Sequence, residues 1–219
     1  MKTLSPEVLL IVSLGIGIVP IVIAMGTCYL KFSIVLSLLR SGFGTQQAPS
    51  TSLVMALSMV MSLIVMQPVI HDTKQALGDL NVSTLATARV GDVLKRGESM
   101  ILPWRTFLLA HSGERELDTF RRLSSPSAPS AEVASAPADT SLVTILGAFV
   151  RSEIKKGFLI AFILLIPFFV IDLVVGNILV ALGLTMMSPS TVSLPLKLLL
   201  FVSSDGWLLL AKSLISAYR

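Results

Sequence analysis

The sequence predicts an all-α, multi-pass membrane protein built from helical hairpins. Three observations lead there. Of its 219 residues 53% are hydrophobic and only 14% charged, the mean hydropathy is +0.85, and the apolar residues are gathered into long blocks instead of being spread evenly. Soluble domains carry about 25% charged residues, so the deficit points to lipid as part of the solvent.

Four blocks are long enough to cross roughly 30 Å of hydrocarbon at about 1.5 Å per residue: residues 8–30, 53–70, 158–184 and 194–214. The third is longer than a span needs and carries Pro167 in its interior, which predicts tilt or a kink just before that proline. Lys2, the apolar residues after it and Ala24-Met25-Gly26 resemble a signal peptide with its cleavage site, but the stretch is long for one and is read as a helix.

Between the second and third blocks lies the one sizeable polar region, where most of the 17 basic and 13 acidic residues fall. Phe107, Leu108, Leu117 and Phe120 recur there at partly helical spacing, predicting two amphipathic helices broken near Gly113. Residues 124–140 read SSPSAPSAEVASAPADT, with no aromatic residue and nothing to fill a core, and are expected to form a flexible linker. The chain thus divides into a hydrophobic helical hairpin (1–70), an extramembrane amphipathic helical region (71–123), the linker (124–140) and a second hydrophobic hairpin (141–219). Two partners of one hairpin show no likeness to those of the other, which disfavours a transporter of inverted repeats.

The net charge of +4 arises from Lys and Arg outside the blocks and reads as membrane topology, not nucleic-acid binding. Lys31 and Arg40 lie in the connection after the first block, and residues 185–193 after the third carry no charge. Counted over short connections only, this puts both on the cytoplasmic side and the central region on the periplasmic side. The single Cys28 leaves the fold to helix packing alone.

No constellation for catalysis, cofactor or metal appears. His71 and His111 are far apart with no H-E-x-x-H pattern, and there is neither a G-x-S-x-G elbow nor a P-loop. His71 beside Asp72 reads as a solvated interfacial cluster. More informative are Asp172, Lys197 and Asp205, because a charge at mid-membrane costs about 2.5–3.5 kcal/mol and persists with a partner or a role. Lys197 and Asp205, eight positions apart, point about 80° away from each other and cannot pair within one helix. Their partners must come from another segment, another subunit or water in a lumen; for Lys197, snorkelling to the interface stands evenly beside a paired role.

Two connections stand out. The first, SGFGTQQAP, is polar and uncharged, with Gly42 and Gly44 suited to a turn, Gln46 and Gln47 in tandem, and Pro49 suited to opening the next helix. The second, LTMMSP, joins two deformable thioethers, Met186 and Met187, to a helix-stopping proline.

Three stretches together resemble the FliP/SctR family, the R components of type III export apparatus: MGTCYLKFSIVLSLLRSGFGTQQAP (25–49), FVRSEIKKGFLIAFILLIPFFVIDLVVGNILVALGLTMMSP (149–189) and LPLKLLLFVSSDGWLLL (194–210). The resemblance implies a non-enzymatic, pore-forming subunit of the export gate in the bacterial inner membrane. It implies a pentameric ring with the S and T components, FliQ-like and FliR-like, through which unfolded polypeptides leave the cytoplasm. It also implies bent hairpins in an assembly largely above the bilayer plane. Met186 and Met187 would form a methionine gasket in the lumen, with Thr185 where some members carry a third methionine. Glu153 and Lys197 would form a charge pair between neighbouring subunits. The rival class is a small-solute channel or transporter.

Overall fold

The computed structural model describes residues 24–44, 49–77, 90–124 and 140–218. The linker apart from its two end residues, Gln46 and Gln47, and most of the first apolar block lie outside these residues. Among the described residues are seven helices and no strand: α1 (Tyr29–Gly42), α2 (Thr51–Leu77), α3 (Val90–His111), α4 (Glu114–Ser124), α5 (Leu142–Ala181), α6 (Pro189–Ser203) and α7 (Gly206–Ser216).

By contacts the chain forms two compact units, Met1–Leu30 with Met66–Ser152 and Lys31–Val65 with Glu153–Arg219. In the first, Phe107, Leu108, Ile145, Ala148 and Phe149 are buried, with the Phe107 and Phe149 rings 5.9 Å apart. The break between α3 and α4 falls at Ser112 and Gly113. Helix α4 carries Glu114 and Glu116 in its first turn and Arg121 and Arg122 in its last, the charge order that complements a helix dipole. Two arginines converge on Thr140, two residues before α5: Arg105 donates to its carbonyl at 3.1 Å and Arg121 to its hydroxyl at 3.0 Å. Ser141 then caps α5, its Oγ accepting from the Thr144 amide at 3.2 Å.

The second unit is an apolar bundle. Helix α1 buries Phe32, Val35, Leu36 and Leu39, the i, i+3, i+4, i+7 stripe of an amphipathic helix. It runs parallel to α5, with Ile34 beside Gly157 and Gly42 beside Leu165. The approach at Gly42 is so close that a Cβ there would overlap the Leu165 side chain. Phe43, Phe168, Phe201 and Trp207 close one region of this core, with successive ring centroids 5.0–6.4 Å apart.

Helices α2 and α5 are each long and apolar enough to cross a membrane. Both outrun the apolar blocks: α2 continues past Ile70 through the exposed His71 and Asp72, and α5 begins well before Phe158. Helix α5 continues unbroken through Pro167. Residues after Leu30, expected as a connection, form α1, whose apolar stripe is interrupted in sequence by Lys31 and Arg40. The fourth block is not one straight helix, since α6 and α7 meet at 62° around Ser204 and Asp205. The described residues therefore supply two spans, or three if the bent pair counts as one.

The glycine contacts give a test. Gly42→Leu forces bulk against Leu165 and is expected to lower stability by about 1–3 kcal/mol. Gly176→Ala, which meets nothing within 4 Å in mid-α5, is expected to stabilise by about 0.5–1 kcal/mol. Thermal unfolding of the detergent-solubilised chain measures both.

Candidate functional site

The site lies in the second unit, where α5 carries two carboxylates, Glu153 and Asp172, each facing a buried lysine from another helix. Nineteen positions separate the carboxylates, about 28 Å along the helix.

At Asp172, the Lys197 side chain from α6 is only 3% exposed. Its Nζ lies 2.6 Å from Asp172 Oδ2 and donates to the Gly42 carbonyl at 2.9 Å. The other oxygen, Oδ1, accepts from Ser193 Oγ at 2.6 Å. One ammonium thus ties the end of α1, the last quarter of α5 and the middle of α6. Asp172 itself is 37% exposed, at the wall of an open cleft that Ser41, Gly44, Ser188 and Ser190 also line.

At the far end of α1, Lys31 and Glu153 are both almost fully buried, Nζ to Oε2 3.4 Å. The Tyr218 hydroxyl donates to the same Oε2, and its ring centroid lies 3.6 Å from Lys31 Nζ. The ring also meets Phe32 edge-on at 5.9 Å. Lys156 approaches the second Glu153 oxygen at 3.7 Å. The buried ammonium is thus balanced by a carboxylate and by an aromatic face.

Between α5 and α6 lies the methionine turn. Helix α5 ends in a Schellman arrangement: Gly183 takes φ +74, and the Leu184 amide reaches back to the Leu179 carbonyl at 2.9 Å. Pro189 opens α6 behind Ser188. The intervening turn has no charged residue, Met186 is fully exposed and Met187 partly so.

Several expected residues meet here. Gly42 supplies its carbonyl to Lys197, Gly44 adopts φ +80 as its turn role requires, and Pro49 stands just before α2. Within the chain, Lys197 meets a carboxylate from another segment, Asp172. Within one chain Glu153 and Lys197 are not brought together, each being engaged elsewhere. Asp205, expected among buried polar residues, is exposed, at the break where α6 gives way to α7. Lys31 and Tyr218 escaped the sequence reading. The four-residue step from Lys31 to the apolar Val35 was the available signal, since it puts both on one helix face. Among the described residues no three His, Cys, Asp or Glu side chains group as metal ligands would.

This geometry can hold helices together and present an uncharged, deformable turn. The model of the FliP family matches residues 10–214. The chain is 38% identical over 204 residues to the surface presentation of antigens protein SpaP of Shigella flexneri, covering 92% of this chain and 91% of that protein. It is 37% identical over 219 residues to the Yop proteins translocation protein R of Yersinia pestis, covering 100% and 99%. It is 35% identical over 211 residues to the hypersensitivity response secretion protein HrcR of Ralstonia nicotianae, covering 96% of each. A family match over nearly the whole length, with such relatives covered almost end to end, means that the chain belongs to the FliP family, the SctR/FliP proteins of type III secretion.

Proposed function

We propose that this protein is a pore-forming subunit of a type III secretion export gate, conducting unfolded polypeptides across the bacterial inner membrane. It works in a homo-oligomeric ring, a pentamer by family resemblance, with FliQ-like and FliR-like components, and its central region faces the periplasm. The observation that carries the reading is the turn at Met186 and Met187, uncharged, exposed and held by ordered helix ends on both sides.

A seal in such a pore must exclude ions by dewetting and yet accept side chains of many shapes. Flexible thioethers satisfy both demands, whereas rigid branched residues satisfy only the first. Replacing Met186 and Met187 with Ala removes bulk from every copy in the ring. Assembly should be unchanged while resting ion flux through membranes holding the intact complex rises severalfold. Parental flux with normal assembly would return these residues to ordinary packing. A small-solute channel is the second reading, supported by the Lys197–Asp172 pair at the wall of the open cleft. It predicts instead that disrupting that pair abolishes solute flux while the methionine replacements leave it unchanged.

The reading includes attraction between Glu153 and Lys197 across the subunit boundary. Because both are engaged within the chain, that pair forms only if assembly redirects them. Two double reversals separate the cases. Lys197→Glu should damage the protein by itself, and adding Asp172→Lys should restore folded monomer. Adding Glu153→Lys instead should partly restore the ring if the boundary pair forms, and additive damage there would remove it from the account.

A further inference from the structure

The helix break and the C-terminal tyrosine belong to one device. Asp205 is the one described non-glycine residue with positive φ, 51° with ψ 42°. Left-handed backbone is disfavoured for residues with a Cβ, and Asp is among the few that tolerate it. Its side chain makes no capping hydrogen bond to α7, so capping does not account for the conformation. Helical hydrogen bonding resumes at once on both sides: the Ser204 amide donates to the Leu200 carbonyl, and the Leu208 and Leu209 amides to that of Asp205. Returning Asp205 to right-handed backbone, with its neighbour Ser204 (φ −87, ψ 6) settling into the helical region, would join α6 and α7 into a continuous helix, whose apolar residues 194–214 match a bilayer in length.

What opposes that return lies at the other end of α7. Its last turn is closed by the Ala217 and Tyr218 amides and carries Tyr218 onto the buried pair of Lys31 and Glu153. Leu210 and Leu214 are also buried on this side. In lipid, however, acyl chains replace apolar contacts at little cost, so the polar contacts decide. Tyr218 stands thirteen residues beyond the hinge, a lever of about 20 Å. Straightening through 62° would carry it about 20 Å from Glu153, so the straight form and the tyrosine contact exclude each other.

We propose that α7 is a strap, hinged at Asp205 and latched by Tyr218, and that unlatching converts α6 and α7 into one span-length helix. The proposal does not depend on the pore reading. Spin labels at Leu159→Cys on α5 and Ser216→Cys on α7, in the full-length Cys28→Ala chain in lipid nanodiscs, report the swing by double electron–electron resonance. The parent should show one short distance. Tyr218→Ala should add a population longer by up to about 17 Å at unchanged helix content, and Asp205→Val, which resists left-handed backbone, should enlarge it. Adding Asp205→Gly to Tyr218→Ala should restore the short distance. Parental distances in both the Tyr218→Ala and Asp205→Val chains, or lengthening accompanied by loss of helix content in circular dichroism, would overturn the proposal.

Discussion

Two lysine ammonium groups are buried in a bundle made almost wholly of apolar side chains, and the second unit is arranged around their neutralisation. Removing an ion of this size from water costs several kcal/mol even after relaxation, so each lysine requires a carboxylate close by. Both carboxylates come from α5. Glu153 receives Lys31 from the start of α1, and Asp172 receives Lys197 from α6, which also takes the carbonyl at the end of α1. Since apolar contacts alone discriminate poorly among helix positions in lipid, these pairs set the alignment that packing then refines.

The methionine turn inherits its place from this arrangement. It joins α5 and α6, the two helices tied by Lys197, Asp172 and Ser193, and the Schellman end on one side and Pro189 on the other leave it little freedom of direction. A turn that is to be soft at its tip has rigid supports at its base. The absence of charge between Leu182 and Ser188 keeps the tip compatible with an apolar constriction.

Much of this was legible in the sequence, and what was not has physical reasons. The apolar runs around α2 and α5 declared themselves, because twenty or so uncharged residues have few alternatives in water. Their ends did not, since helices continue past the apolar run wherever polar residues can face outward, as His71 and Asp72 do. Helix α1 was obscured because Lys31 and Arg40 looked like loop charges, although Lys31 occupies the buried face. In residues 203–206 the run Ser-Ser-Asp-Gly is a turn signal inside an apolar block. Read as hydropathy it gave a straight span with a buried charge, and the structure resolves it as an exposed break. For Lys197 a paired role stood evenly beside snorkelling, and a partner 25 residues away in sequence can be identified only once the chain has folded back.

The dependence of the bundle on its buried pairs is tested most directly at Lys31 and Glu153, by a double-mutant cycle on unfolding of the detergent-solubilised chain. Lys31→Met and Glu153→Leu each leave a buried charge without its partner and should each cost about 3–5 kcal/mol. The double replacement leaves none and should restore most of the loss. Additive losses in the double variant would show that the two residues act independently, and would contradict the account that their pairing aligns the helices.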